Sequence, residues 1–103
     1  MPKEDRRRGL RLSRAVPLAL SQNGKVTHAN TSVISALGAL VMSAEPFYPG
    51  ANVTVTNQRT GMTLETWVVS SRPADAPETF AVALEFLQPT AKFWGADYEH
   101  ARE

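Results

Sequence analysis

The sequence predicts an all-β protein in which short strands form a small antiparallel barrel or sandwich. Apolar and β-branched residues recur with period two in short runs, such as Val53-Thr54-Val55-Thr56 and Phe80-Ala81-Val82-Ala83-Leu84-Glu85-Phe86. Clusters of turn-forming residues separate these runs at close spacing: Ser21-Gln22-Asn23-Gly24, Glu45-Pro46-Phe47-Tyr48-Pro49-Gly50, Gln58-Arg59-Thr60-Gly61 and residues 73–79. No stretch carries the longer period of an extended amphipathic helix, and no segment repeats another. A chain of 103 residues suits one domain with a modest core.

The elements follow in order. Val16-Pro17-Leu18-Ala19-Leu20 reads as the first strand, with Pro17 fitting a strand start or an outermost strand. A second strand runs from Lys25 to Ser35 and holds the β-branched set Val26, Thr27, Thr31, Val33 and Ile34. The apolar stretch 33–42 is ten residues long, too short to span a bilayer. Ser35 and Gly38 interrupt it, so it reads as two strands meeting at a corner, the third strand running from Gly38 to Ser43. The missing side chain of Gly38 suits a sharp bend, or the close approach of a ligand or another strand. Another strand is the simpler of those two.

Residues 53–71 read as a hairpin, with Gly61 where a left-handed residue is needed. On its second arm Met62, Leu64, Thr66 and Val68 share one face, and Thr63, Glu65, Trp67 and Val69 the other. Residues 80–87 form the last strand, stopped by Pro89, which makes about six strands in all. Val53, Val55, Leu64, Val68, Phe80, Val82, Leu84 and Phe86 are expected to supply most of the core. Residues 91–95 suit one helical turn. It would lay Phe93 and Trp94 on the barrel end, since these rings are too apolar for a free tail. The expected organisation is a flexible basic arm over 1–9, a barrel over 10–95 and a tail over 96–103.

Catalytic and metal-binding patterns are poorly represented. The chain has no cysteine, which excludes disulfides, thiol chemistry and cysteine-based zinc sites. His28 and His100 lie far apart, the first on a polar strand face and the second in the tail. There is no phosphate-cradling glycine loop and no nucleophile elbow. The acids are scattered, with Glu65 and Glu85 expected to point outward. No catalytic residue, metal ligand or cofactor is assigned, and the protein is expected not to be an enzyme. The lack of cysteine and of an apolar signal-peptide core behind the basic N-terminus fits a cytoplasmic protein without membrane insertion.

Charge is more informative. Residues 1–14 hold Lys3, Arg6, Arg7, Arg8, Arg11 and Arg14 against Glu4 and Asp5, net +4, whereas the other 89 residues hold five bases and eight acids, net −3. A basic arm on a slightly acidic body is either a solvated tail or a receptor for an anion. Arginine grips phosphate through two parallel N–H donors and also stacks its planar guanidinium on a base. The corner at Ser35 and Gly38 offers a hydroxyl and accessible main chain beside it.

These two features together resemble a PilZ domain, a small β-barrel that typically binds the bacterial second messenger cyclic di-GMP. Members carry Arg-x-x-x-Arg on an N-terminal arm and, further on, Asp/Asn-x-Ser-x-x-Gly followed by a strand similar to Gly-Ala-Leu. Arg7-Arg8-Gly9-Leu10-Arg11 matches the first spacing, and Val33-Ile34-Ser35-Ala36-Leu37-Gly38-Ala39-Leu40 follows the second. Val33 stands where the family's Asp or Asn would be. Arg14 is the better match to the second arginine by its distance from the first strand, and Leu10 then replaces the first. The resemblance covers roughly residues 6–95.

It implies a barrel that senses cyclic di-GMP and relays its presence to a downstream partner protein. Arg7, Arg8, Arg11 and Arg14 would hold phosphates and guanines, and Ser35 and Gly38 would line the base pocket. The alternative it implies is a PilZ-like adaptor that has lost the nucleotide and binds protein only. A nucleic-acid-binding barrel ranks last, because the strands lack interleaved aromatic and basic residues.

Overall fold

The computed structural model describes residues 11–99. Six strands, β1 (Pro17–Gln22), β2 (Lys25–Ser35), β3 (Gly38–Ser43), β4 (Asn52–Asn57), β5 (Thr63–Pro73) and β6 (Phe80–Phe86), precede a four-residue helix, α1 (Ala96–Glu99). The strands close into a barrel in the order β1-β2-β3-β6-β5-β4, every pairing antiparallel.

The sequence reading of the strands holds, with β2 and β3 bounded as expected. The first strand runs from Pro17 to Gln22: at its start the Val16 amide donates to the Thr31 side chain, and at its end Ser21 and Gln22, expected in the turn, pair with Val26 and Lys25. Gly61 has φ +82, as a left-handed turn residue should.

Closure depends on two long strands that each serve two neighbours. β2 pairs with β1 through Lys25–Asn30 and with β3 from Asn30 to Ser35. β5 pairs with β4 through Thr63–Trp67 and with β6 from Thr66 to Pro73. Each carries an irregularity, between Thr31 and Val33 in β2 and between Val68 and Ser70 in β5. An extra residue on one strand bends it and increases its twist, which a six-strand barrel needs to close. The sharp corner lies at Ser35-Ala36-Leu37-Gly38, where Ser35 and Gly38 face each other as the last pair of the β2–β3 ladder.

The inward faces bury Leu18, Leu20, Ile34, Val41, Val53, Val55, Val68, Val82, Leu84 and Phe86, joined by Val16 ahead of β1. Six of the eight expected core residues are among them. Leu64 and Phe80 are only partly buried and pack against the cluster from near the starts of β5 and β6. Phe93 and Trp94 are fully buried and Tyr98 nearly so, closing one barrel end as the sequence implied for the first two. Ring centroids lie 5.4 Å apart for Phe86 and Phe93, 5.8 Å for Phe86 and Trp94, and 4.8 Å for Phe93 and Trp94. Buried Asn57 ties this cap to the barrel: its Nδ2 donates to the Phe93 carbonyl (2.8 Å) and its Oδ1 accepts from the Arg59 amide (2.8 Å). Among the described residues, no helix is long and apolar enough to cross a membrane.

Candidate functional site

Beyond Asn30, β2 has β3 on one side and no longer pairs with β1 on the other. The chain ahead of β1 occupies that side. Leu12 and Ile34 exchange main-chain hydrogen bonds, Leu12 N–H to the Ile34 carbonyl at 2.9 Å and Ile34 N–H to the Leu12 carbonyl at 2.8 Å. The Leu12 side chain, partly buried, packs against the core. Buried Thr31 fastens the same segment. Its hydroxyl donates to the Arg14 carbonyl (2.6 Å) and accepts from the Val16 amide (2.8 Å). Arg59 adds a guanidinium contact to the Ala15 carbonyl (3.2 Å).

The β2–β3 turn is equally well held. The Ser35 hydroxyl accepts from the amides of Leu37 (3.1 Å) and Gly38 (3.2 Å). With two lone pairs engaged, its proton remains to donate. The carbonyls of Ser35, Ala36 and Leu37 accept from the Trp94 indole N–H (2.7 Å), the Thr90 amide (2.9 Å) and the Phe86 amide (2.8 Å).

Gly38 is required here by space and not by a left-handed backbone. A Cβ at this position would lie 2.0 Å from the Leu84 carbonyl oxygen and 3.0 Å from Glu85 Cα. The closely approaching group is therefore strand β6. Gly38→Ala has to push β3 away from a main-chain atom, so we expect a loss of about 3 kcal/mol, the upper end of ordinary overpacking. Urea denaturation checks this, and an unchanged midpoint would contradict it.

An open cleft of about 270 Å³ lies on the outside of the barrel where the segment ahead of β1 and the β2–β3 turn meet. The pairing register explains its floor. Val33, Leu40 and Ala83 form one cross-strand row, and Ser35, Gly38 and Glu85 the next. Arg11 borders the cleft beside these rows, and Val69 and Leu37 supply further apolar wall.

Of the residues the sequence singled out, Arg11, Ser35 and Gly38 thus meet at one cleft, and Val33 lines it as well. Arg14 is exposed, lies outside the lining and turns its Nη1 to the Ser13 carbonyl (2.9 Å). Arg7 and Arg8 lie outside the described residues, as do the arm over 1–9 and His100. Sequence reasoning missed Leu12 and Thr31, which fasten the segment ahead of β1, and the indole contact from Trp94. It found the burial of Trp94 from its apolar bulk, but nothing local signals a hydrogen bond to a residue 59 positions away. Among the described residues no group of three or more His, Cys, Asp or Glu could hold a metal ion, and His28 is exposed on β2.

Comparison with known proteins agrees with this fold. The family model for the PilZ domain matches residues 5–93. A solved structure of the Bacillus subtilis inhibitor of motility (MotI/DgrA) superposes with a TM-score of 0.68 at 16% sequence identity. The match covers 91% of this chain and 51% of that one, so the chain spans about half the length of that protein, and the likeness is one of fold. No curated protein matches the sequence. A family match over most of the chain, on a closed six-strand barrel of that fold, shows that the protein belongs to the PilZ domain family.

Proposed function

We propose that this PilZ domain is a binding module that takes cyclic di-GMP in the cleft between the arm and the β2–β3 turn and relays its occupancy to a partner protein. The observation that carries this reading is the Leu12–Ile34 pairing, which delivers Arg11 to the cleft that Ser35 and Gly38 line. Arg11 offers a phosphate two parallel donors. Ser35 retains a hydroxyl proton for a base edge or phosphate oxygen, and Gly38 lets β6 close against the floor of the cleft. Arg7, Arg8 and Arg14 add positive charge along the same arm. Binding draws the arm onto the barrel, and the surface so formed is what a partner reads. The module has no catalytic role in this reading and works in the cytoplasm.

Titration calorimetry with cyclic di-GMP at moderate salt tests it. Each arginine lost from a phosphate costs about 1.5–3 kcal/mol, a factor of about 10 to 150 in affinity. The double variant Arg7→Ala, Arg11→Ala should therefore bind no measurable nucleotide and melt where the wild type does, since Arg11 is exposed. Val33→Asp should tighten binding by adding an acceptor beside Ser35. No heat at high micromolar nucleotide would overturn the receptor reading.

A second reading has its own support. The Val33 isopropyl group on the cleft wall cannot accept a hydrogen bond, and the wall is otherwise largely apolar. A protein-only adaptor would use the same cleft and arm to hold a partner directly.

A further inference from the structure

Three successive carbonyls of the β2–β3 turn are taken by the C-terminal part of the chain. Their donors, Phe86, Thr90 and Trp94, are spaced four residues apart. The first two donate through the main chain, as almost any residue could. The third is different, because it is a side-chain N–H on a fully buried ring. Packing against Phe86 and Phe93 needs only the aromatic surface of that ring. The N–H adds a short bond, 2.7 Å, to the carbonyl of Ser35, the residue whose hydroxyl caps the turn and borders the cleft.

We propose that Trp94 is a positioning residue for the turn: its indole N–H fixes the Ser35 carbonyl and thereby the direction of the Ser35 hydroxyl at the cleft. The hydrogen bond also couples the segment after β6 to the cleft. Coupling between two sites is reciprocal. A ligand that engages Ser35 tightens the C-terminal segment onto the barrel end, and a partner that lifts that segment weakens the cleft. This consequence for ligand rests on the reading of the cleft as the nucleotide site, whereas the hold of Trp94 on the turn does not.

The test is site-resolved amide exchange by NMR on the full chain, first without ligand. Trp94→Phe retains an aromatic ring and deletes the N–H. Phe93→Leu, in the same ring cluster, loses packing but no side-chain donor to the turn. Trp94→Phe is expected to speed exchange at Leu37 and Gly38 by roughly tenfold relative to Val41 and Val82, the worth of one hydrogen bond. Phe93→Leu is expected to leave that ratio unchanged. If Trp94→Phe leaves the ratio unchanged, or Phe93→Leu raises it equally, Trp94 is a packing residue only and the proposal falls.

If Trp94→Phe does not fold, replacing the indole at Trp94 by a benzothiophene of the same shape removes the N–H alone, with the same readouts. Cyclic di-GMP is then added. Wild-type binding with a roughly tenfold loss in the N–H-deleted protein supports the coupling, and equal binding by both overturns it. Absence of wild-type binding sinks the nucleotide reading, while exchange at Leu37 and Gly38 still decides the role of Trp94.

Discussion

A chain cut after Pro89 will not fold cooperatively. The cut removes Phe93, Trp94 and Tyr98, all three buried, and exposes the face of Phe86 on which two of them rest. Removing one large aromatic side chain from a core costs about 3–5 kcal/mol. Three such losses exceed about 9 kcal/mol, well within the range that erases the roughly 5–15 kcal/mol stability of a small domain. Polar groups suffer as well. Asn57 Nδ2 loses the Phe93 carbonyl, and the carbonyls of Ser35 and Ala36 lose the Trp94 and Thr90 donors. Near-ultraviolet circular dichroism and a thermal melt check this. A sigmoidal transition at the full-length temperature would show that the cap is dispensable.

Phe86→Ala comes second. Phe86 is the last residue of β6 and touches both cap rings, at 5.4 and 5.8 Å between centroids. Its ring joins the barrel interior to the cap, so truncation opens a cavity that neither side can fill without moving a buried ring. We expect a loss of about 3–5 kcal/mol, read as a lower urea midpoint with an unchanged slope. A loss below about 1.5 kcal/mol, the scale of a volume-conserving swap, would mean that the cap collapses onto the gap.

What could be read in the sequence was local. Val53, Val55, Val82, Leu84 and Phe86 announce their inward face by alternation alone, and Ser35 and Gly38 mark the corner because small residues interrupt an apolar run. What could not be read depends on closure. The bulges at Thr31/Val33 and Val68/Ser70 carry no glycine to betray them, and they arise because one strand must bend between two neighbours. Leu64 and Phe80 fit the pattern but lie near strand starts, where the barrel no longer encloses them. Thr31 looked like any β-branched strand residue. Only the fold reveals that its hydroxyl bridges Arg14 and Val16, across 17 and 15 positions of chain.

The circular strand order has a consequence for how a partner can engage the domain. Each of the six strands pairs with a neighbour on both sides over part of its length, so among the described residues no barrel strand is an open sheet edge from end to end. The full-length edge strand that β-augmentation and edge-to-edge aggregation exploit is thus missing among the described residues. Among the described residues two ladder ends are exceptions: β2 beyond Asn30, where the chain ahead of β1 adds one isolated bridge from Leu12 to Ile34, and β5 beyond Val68, past the reach of β4 and of the Gly50 and Ala51 hydrogen bonds. A partner that reads main chain would meet it at these ladder ends, and along the doubly paired strands it must recognise side chains.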